Sequence, residues 1–429
     1  QVNAITGRTA PNAPVTIMVS QLPPNFDATV ETTADAAGNF GYDFTGELTL
    51  RHGDLFQLSA AVSGHNVLSV AIAPGLILDM DQALLLGSIA PNVAVDVTVT
   101  RSGQPLAQGR TFADASGLFA MLLVDSTGAP VVLAEGDVVD AVPDDGAVTP
   151  LKLTVPLLAV DYDLESDRVS GVATPGGGLT MLATEAYPQG NSLGIAQAWP
   201  PIATDRTYEA QFVPSIDVHP GTRIIALYRP AEGHYAFRSV TVPILNAEHS
   251  GPNACGFGVP RQPVQVDLRD STGVDLAGAE DTARFDGYFS VLLKDVAEEL
   301  VASAAGNTVR GDLVDTVATI DLPTLDVQMD WQRSFLTGTG PADQEFLLAP
   351  AVPCPQQQAP GVLNISPSFG FTQRTGPDGA INAFVPPFLL GQGGGLEIAF
   401  FDENGHRWFR NLYRATAQIF IRTPWWLAR

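Results

Sequence analysis

Apolar and polar residues alternate in short runs along the whole chain, a pattern that predicts half-buried β-strands. Examples are PVTIMV (14–19), VDVTVT (95–100) and VQVDLR (264–269). Turn-forming Gly, Pro, Asn and Asp residues separate the runs. We find no uninterrupted apolar run of about 18 residues, the length that a membrane-spanning helix needs. The pattern therefore predicts an all-β fold without a transmembrane helix.

A G-x-x-x-P element marks five copies of one repeating unit, which is typical of tandem domains. Its glycines are 80, 84, 85 and 82 residues apart, and the last copy of the element is one residue shorter. Farther along each copy, an Asp/Gly turn leads into a strand that usually begins with an aromatic residue. The opening glycines are Gly7, Gly87, Gly171, Gly256 and Gly338. The residues in the aromatic register are Phe40, Phe119, Tyr208, Phe289 and Ile381.

A further strand and a reverse turn follow in every copy, and a proline closes the first four. In the fourth copy we align DVAEELVASAA (295–305) with this strand despite its helical propensity, because tertiary context outweighs propensity. Proline cannot continue a ladder, so each closing proline predicts a stiff joint. The closing prolines are Pro74, Pro156, Pro243 and Pro323.

Units of this length, with about seven short strands each, have the size of an immunoglobulin-like sandwich. The pattern resembles the bacterial Ig-like repeats of the Big type, with their G-x-A-x-P-G opening and D-x-x-G-x-F turn. We expect five tandem immunoglobulin-like β-sandwich domains in an elongated rod, and the resemblance implies extracellular, mostly non-enzymatic work. The predicted domains, numbered repeats 1 to 5, are 1–74 with an incomplete first strand, 75–156, 157–243, 244–323, and 324–429 with an insertion at about 351–372 and a C-terminal strand extension.

The chain is strongly acidic, with 22 Lys and Arg residues against 46 Asp and Glu residues and a net charge of −24. Nucleic acid and anionic lipid both require a basic surface, so we expect neither nucleic-acid binding nor membrane insertion. A hydrophobic content of 45% is too high for a disordered chain. The opening QVNAITG fits a mature N-terminus after signal-peptide cleavage, and an unprocessed start fits it as well.

Catalytic motifs find little support in the sequence. The stretch 190–194 (GNSLG) matches G-x-S-x-G, but it lacks the following helix that a nucleophile elbow requires. His65, His234 and His406 occupy the same turn in repeats 1, 3 and 5, and we interpret them as solvated turn residues that cannot share a metal ion. We therefore expect no enzymatic activity and no catalytic residue.

Acidic residues follow the joints between repeats, and alternate carboxylates on one strand face are suited to bind Ca²⁺. The candidates are Asp79, Asp81, Asp161, Asp163, Asp326 and Asp330. The alternative is a set of solvated strands whose charges discourage edge pairing. Structural calcium at the joints is the one cofactor that the sequence suggests.

The chain has two cysteines, Cys255 and Cys354. A sandwich places Cys255 at the end of the first strand of repeat 4, facing repeat 5, and Cys354 in a loop that faces back. We expect them to form a disulfide across this joint in an oxidising compartment, and two unpaired thiols are the alternative. Asn364 begins an N-x-S sequon and is a candidate glycosylation site.

Repeat 1 lacks the segment that carries the first strand elsewhere. From closing proline to opening glycine, this segment is 13, 15, 13 and 15 residues in repeats 2 to 5, whereas only QVNAIT precedes Gly7. At the other end of the chain, WWLAR (425–429) follows a closing strand and a proline. We expect WWLAR to complete repeat 1 of another copy, with Trp426 and Ala428 pointing inward, although it would equally fold back on repeat 5. The predicted interface residues are Trp425, Trp426, Leu427, Ala428 and Arg429 with Val2, Ala4 and Ile5.

Two functions follow from these patterns. The first is a structural subunit of an extracellular filament or surface layer, whose partner is itself, because a head-to-tail contact that does not close gives a homopolymer. The alternative is an adhesin stalk or binding module that recognises a glycan or protein at the cell surface. Both place the chain outside the cell.

Overall fold

The computed structural model describes residues 3–21, 26–144, 149–184, 195–314, 316–350, 371–386 and 395–413. In these residues the regular structure is all β, which confirms the predicted fold class. None of them belongs to a helix with the length and apolar character that crossing a bilayer requires. The chain divides into two compact units, one with the described residues up to Val242 and one with those from Pro243 onward.

The strands follow the alternating runs of the sequence. Repeat 1 contains β1 (Ala4–Arg8), β2 (Pro14–Gln21), β3 (Phe26–Thr33), β4 (Asn39–Asp43), β5 (Leu55–Val62) and β6 (His65–Ile72). Repeat 2 contains β7 (Gly75–Asp79), β8 (Leu84–Ser88), β9 (Ala94–Arg101), β10 (Gln104–Phe112), β11 (Leu118–Leu122), β12 (Val138–Pro143) and β13 (Leu151–Thr154). Repeat 3 contains β14 (Leu158–Asp163), β15 (Arg168–Ala173), β16 (Gly178–Thr184), β17 (Ile195–Ala198), β18 (Thr207–Ala210), β19 (Arg223–Arg229) and β20 (Tyr235–Thr241).

The second compact unit holds the remaining strands. Repeat 4 contains β21 (Ile244–Glu248), β22 (Asn253–Phe257), β23 (Pro263–Arg269), β24 (Asp275–Thr282), β25 (Tyr288–Leu292), β26 (Thr308–Asp312) and β27 (Val317–Asp321). Repeat 5 contains β28 (Asp326–Asp330), β29 (Phe335–Thr339), β30 (Glu345–Pro350), β31 (Phe371–Arg374), β32 (Ala380–Phe384), β33 (Gly395–Phe401) and β34 (Arg407–Tyr413).

Each compact unit is built around one seven-stranded sheet that two repeats share. In the first unit its order is β11-β8-β7-β20-β19-β16-β17, and the other sheets are β1-β4, β3-β2-β5-β6, β10-β9-β12-β13 and β14-β15-β18. In the second unit its order is β25-β22-β21-β34-β33-β30-β31, and the other sheets are β24-β23-β26-β27 and β28-β29-β32. The number of immunoglobulin-like domains and their boundaries stay predictions.

The two sequence markers of each repeat are cross-strand neighbours. Gly7 lies opposite Phe40, and Gly87 lies opposite Phe119. A Cβ on Gly87 would come within 2.2 Å of the Phe119 ring, so the aromatic ring occupies the space that a side chain would need. The same pairing joins Gly171 to Tyr208, Gly256 to Phe289 and Gly338 to Ile381. The two recurring sequence markers therefore encode the same cross-strand contact in each repeat.

The first strands bury their alternate residues, as strand periodicity requires. Leu76, Leu78 and Leu245 are fully buried, and Val327 is 4% exposed. Leu76 and Leu78 belong to the hydrophobic core of the first compact unit, and Leu245 and Val327 belong to that of the second.

The strand predicted at 295–305 is wrong, and so is the helical alternative. Asp295 Oδ1 accepts the N–H groups of Ala297 and Glu299 at 2.8 and 3.0 Å, which closes a tight turn there. The strand that corresponds to the other repeats is β26, which begins at Thr308. The side chain of Asn307, the residue before it, accepts the N–H of Ala304 at 2.8 Å. In repeat 2, Asp137 makes the same contact with the N–H of Ala134 before β12, so the sequence alignment of repeat 4 was displaced by one turn.

Candidate functional site: joints between repeats and open strand edges

The joint between repeats 2 and 3 is a parallel strand pair inside the shared sheet of the first compact unit. β7 pairs with β8 on one side and with β20 on the other. In the parallel register, Ile77 lies opposite Tyr235 and Leu78 lies opposite Ala236. The N–H of Met80 extends the pairing by donating to the carbonyl of Phe237 at 3.0 Å. β7, the first strand of repeat 2, is thus also hydrogen-bonded to the last strand of repeat 3.

His234 caps this parallel pair, and its interpretation as a solvated turn residue is wrong. Its side chain is 2% exposed, and its Nδ1 accepts the N–H of Leu76 at 3.2 Å. Nδ1 therefore carries no proton. Burial, and then the adjacent His52, lowers the pKa of His234 from 6.5 to about 4. The two imidazole rings stack with their centroids 4.3 Å apart.

A buried ion pair between Arg229 and Asp54 ties repeat 1 to the same joint. The two side chains are 3% and 0% exposed. Arg229 also donates to the carbonyls of Gly233 and His52, each at 3.2 Å, and lies over the Tyr235 ring at 4.9 Å. These extra hydrogen bonds matter because a buried ion pair offsets its desolvation cost only when its remaining donors are satisfied.

Gly53 allows the close approach of repeat 1 at this point. Its φ is +78°, and a Cβ there would lie 2.7 Å from the Tyr235 ring. Nearby, His52 Nδ1 contacts the carbonyl of Pro74 at 2.6 Å, so this nitrogen donates. Residues of repeats 1, 2 and 3 therefore meet at one buried polar cluster.

The second compact unit repeats the joint with different side chains. β21 pairs in parallel with β34, with Ala247 opposite Trp408, and the N–H of Leu245 donates to Nδ1 of His406 at 3.4 Å. His406 is 5% exposed, so the solvated interpretation is wrong here too, and burial lowers its pKa. Arg407 forms a buried ion pair with Glu397 beside it. Two joints thus use the same histidine-capped geometry.

The joints reveal an alternation that the sequence interpretation missed. A Gly-His dipeptide precedes the last strand only in repeats 1, 3 and 5, at Gly64-His65, Gly233-His234 and Gly405-His406. In repeats 3 and 5 this last strand receives the first strand of the preceding repeat. The dipeptide, noticed in the sequence as a shared turn, was the signal of this pairing.

In the described part of repeat 1, no strand lies on the side of β1 that a first strand occupies in the other repeats. In repeats 2 to 5, the strand with the opening glycine lies between a first strand and the aromatic strand. β1 pairs only with β4 among the described residues, and Ala4 and Ile5 lie on it opposite Asp43 and Tyr42. Val2 and residues 425–429 lie outside the described residues, so the predicted strand donation stays a prediction.

Two of the candidate calcium ligands, Asp79 and Asp81, already have protein partners. Asp79 is 4% exposed, and its Oδ1 accepts the N–H groups of Asp81 and Gln82, both at 3.0 Å. Burial raises the pKa of Asp79 to about 6, despite these hydrogen bonds, and the charge of Asp81 raises it further. Asp81 pairs with Arg238 at 3.3 Å and accepts the N–H of Ser239 at 2.8 Å.

The remaining acids lie on exposed strands and turns. Asp163 accepts the Ser166 hydroxyl at 2.7 Å, and this hydrogen bond lowers the pKa of Asp163. Asp330 accepts two backbone N–H groups of the turn that follows it, each at 3.0 Å. Asp161 and Asp326 lie on β14 and β28. Across the described ranges, no three His, Cys, Asp or Glu side chains are grouped as a metal site would need, and calcium at the joints stays a prediction.

The predicted position of Cys255 at the end of the first strand of repeat 4 is wrong, because it lies within the second strand, β22. Its side chain is 1% exposed and is disulfide-bonded. Cys354 and the sequon at Asn364 lie outside the described residues. The Cys255–Cys354 pairing and the glycosylation of Asn364 therefore stay predictions, as does the loop assignment of GNSLG, which also lies outside them.

No protein-family model and no curated protein matches the chain. Among solved structures, a tetra-tandem repeat from the extending region of a large adhesion protein is 16% identical, with 89% of this chain and 95% of that chain covered and a TM-score of 0.17. A bacterial ice-binding adhesin of 1.5 MDa is 12% identical, with 56% and 89% covered and a TM-score of 0.15. A Ca²⁺-stabilised adhesin of an Antarctic bacterium is 14% identical, with 75% and 93% covered and a TM-score of 0.15. Likenesses with such low TM-scores carry no argument, and the resemblance to Big-type repeats is not confirmed.

Proposed function

We propose that the chain is a non-catalytic stalk segment of an extracellular bacterial surface protein, which carries force between a cell and an adhesive partner such as a glycan or protein. The observation that carries this proposal is the seven-stranded sheet that two repeats share in each compact unit. A stalk must transmit load without yielding at its joints. A shared sheet couples neighbouring repeats through backbone hydrogen bonds in addition to the covalent linker.

The buried polar cluster at the joint between repeats 2 and 3 adds to this coupling. Pulling repeat 3 away from repeat 2 breaks the β7–β20 pairing and removes the Leu76–His234 hydrogen bond, and pulling it away from repeat 1 separates Arg229 from Asp54. Removal of one partner of such a buried ion pair costs about 3–5 kcal/mol because the other charge is left buried and uncompensated. The disulfide at Cys255 and the net charge of −24 are in keeping with an oxidising compartment and a soluble extracellular surface.

Force spectroscopy on the chain, tethered at both ends, tests the stalk function. If the joint couples repeats 2 and 3, residues 75–242 unfold in one event that releases about 580 Å of extended chain, less the folded span. Repeat 1, whose sheets share no strand with repeats 2 and 3, should give an event of its own of roughly half that length, in which its contact with Arg229 through Asp54 also breaks. Two independent events of about 290 Å for repeats 2 and 3 would contradict the proposal.

Head-to-tail assembly into a filament or surface layer is the second candidate, and the edge of β1 that no described strand covers favours it. A strand from another copy would complete the sheet there by β-augmentation. Negative-stain electron microscopy of the chain, with and without residues 425–429, tests it. Fibres that vanish with the deletion support the filament, and single particles in both samples speak against it.

A further inference from the structure

The three-stranded sheet of repeat 5, β28-β29-β32, buries one face and leaves an open face toward solvent. Val327, Leu336 and Ile381 are at most 4% exposed and belong to the core of the second compact unit. Most residues that alternate with them along the strands are exposed. Phe335 and Phe384, which are 36 and 56% exposed, are cross-strand neighbours on the open face. Single exposed apolar residues are normal, whereas grouped ones mark binding surfaces.

The strand register arranges the side chains of the open face in two neighbouring rows. One row contains both aromatic rings, and the other contains two amides and a hydroxyl group. The rows are about 7 Å apart, because alternate residues of a strand share a face and each rises about 3.4 Å. The aromatic row is Asp330, Phe335 and Phe384, and the amide row is Gln328, Thr337 and Asn382. One ligand of two or three sugar units is long enough to contact both rows.

The corresponding sheet of repeat 3, β14-β15-β18, carries charges in place of these groups. The Arg168 guanidinium and the Glu209 carboxylate form an exposed ion pair across its face. Repeat 5 has the same strand order without this ion pair and with two rings, so the strand order alone does not account for the rings. Counted from the opening glycine and the residue opposite it, Arg168 corresponds to Phe335, Glu209 to Asn382 and Gln211 to Phe384.

The charges around the two rows favour an uncharged ligand over an anionic one. Asp330 ends the aromatic row, and Asp326 lies on the same face beyond the amide row. Arg333 offsets one of these charges, with its Nε 3.8 Å from Asp330 Oδ2. The whole chain has a net charge of −24, which repels sulfated and sialylated glycans and also a second copy of the chain.

The chemistry of the two rows matches a neutral sugar. The negative face of an aromatic ring attracts the C–H groups that a pyranose presents on its ring face. Amide N–H groups donate to sugar hydroxyl oxygens, and amide and carboxylate oxygens accept from sugar hydroxyl groups. A neutral oligosaccharide therefore satisfies both rows without bringing a charge to an acidic surface.

We propose that the open face of β28-β29-β32 binds a neutral hexose oligosaccharide. Phe335 and Phe384 stack on one sugar unit. The side chains of Gln328, Thr337 and Asn382 form hydrogen bonds with the hydroxyl groups of the next unit. This site goes beyond the stalk function, because the coupling of repeats 2 and 3 needs no ligand on repeat 5.

An array of neutral gluco-, galacto- and manno-oligosaccharides, printed beside sialylated and sulfated glycans, tests the site with the full chain. We expect retention on neutral members, and calorimetric titration with the best-retained one gives its affinity. Phe384→Ala should weaken this affinity by about tenfold or more because one stacking ring is lost. Phe112→Ala is the matched control, since Phe112 is 68% exposed on β10 of repeat 2, and it should bind as the native chain does.

A second pair of variants tests the amide row. Asn382→Ala should also weaken the affinity, whereas Gln211→Ala, at an exposed position of the repeat 3 sheet, should leave it unchanged. Both Phe384 and Asn382 are exposed, so we expect thermal unfolding of their variants to match that of the native chain.

The remaining outcomes would overturn the assignment. They are an array on which no neutral member is retained, retention of sialylated or sulfated members alone, and equal affinity of the Phe384→Ala and Phe112→Ala chains. Sedimentation velocity tests the competing occupant, since self-association that Phe384→Ala abolishes would assign the open face to a second copy. None of these results alters the coupled unfolding of repeats 2 and 3, which tests the stalk function separately.

Discussion

His234→Asn should make the joint between repeats 2 and 3 less sensitive to mild acid. In the folded joint, Nδ1 of His234 accepts the N–H of Leu76 and must stay unprotonated. Protonation would remove this acceptor and place a charge in a desolvated site beside the His52 ring, so the pKa of His234 is lowered from 6.5 to about 4. An Asn side chain offers an oxygen acceptor and does not titrate.

The sign of the effect follows from linkage. Below pH 6.5 the unfolded chain binds a proton at His234, whereas the folded joint binds it only near pH 4. Stability is therefore lost as the pH falls through 6.5 toward 4. The difference between the two pKa values corresponds to about 3 kcal/mol, of which about 2 kcal/mol is lost between pH 7 and pH 5.

Asp79, at the same joint, titrates in the opposite sense. Its pKa is raised to about 6, so its stabilising contribution is present at low pH and is lost as the pH rises through 6. Protonation of Asp79 between pH 7 and pH 5 favours the folded state by about 1 kcal/mol. The acid response of the native joint is thus the destabilisation due to His234 less the stabilisation due to Asp79. Comparison with His234→Asn isolates the contribution of the histidine.

Hydrogen exchange of the full chain, read by mass spectrometry and corrected for the intrinsic pH dependence of exchange, measures this difference in peptides from β7 and β20. Between pH 7 and pH 5, the native joint should lose about 30-fold more protection than the His234→Asn joint, the equivalent of about 2 kcal/mol. His65→Asn, in the exposed turn of repeat 1, is the matched control and should behave as the native chain. Equal loss of protection in native and His234→Asn chains would refute the reasoning.

Three further outcomes are expected. Gly87→Ala should destabilise repeat 2 by about 1–3 kcal/mol in urea titration because its Cβ would enter the Phe119 ring, whereas Gly41→Ala, with only ordinary contacts, should cost less than 1 kcal/mol. Arg229→Met should destabilise the first compact unit by about 3–5 kcal/mol because it leaves Asp54 buried and unpaired. Arg168→Met removes one partner of an exposed ion pair and should destabilise it by at most about 1 kcal/mol. Equal losses of stability would contradict the burial argument. Non-reducing mass spectrometry should recover one peptide linked through Cys255 and Cys354, and two free thiols would disprove this bridge.

The local rules of the fold were readable from the sequence because they leave short-range patterns. Alternation predicted the strands, and the spacing of Gly87 and Phe119 recorded a cross-strand contact that every repeat preserves in some form. Segment 295–305 was misassigned to a strand because it was aligned with a strand of the other repeats, whereas Asp295 closes a turn there by accepting backbone N–H groups and the strand lies at Thr308–Asp312.

The joints were not readable in the same way because their partners are far apart in the chain. His234 and Leu76 are separated by 158 residues, so a single Gly-His turn does not reveal that another strand will bury it, and only its recurrence in alternate repeats does so. The buried pair of Arg229 and Asp54 spans 175 residues. The shared turn position predicted solvated histidines, whereas tertiary contacts bury His234 and His406.

One feature of the sequence does encode the alternation of joints. The first-strand intervals of 13 and 15 residues differ by two, which keeps the same side chains facing inward because strand periodicity is two. In repeats 2 and 4 the second residue after proline lies opposite the opening glycine, as Leu76 lies opposite Gly87. In repeats 3 and 5 the fourth residue does so, as Val160 lies opposite Gly171.

The short interval accompanies first strands that pair with a neighbouring repeat, and the long interval accompanies first strands at the edge of a three-stranded sheet. A pair of repeats, one of each interval length, is therefore the structural unit of each shared sheet.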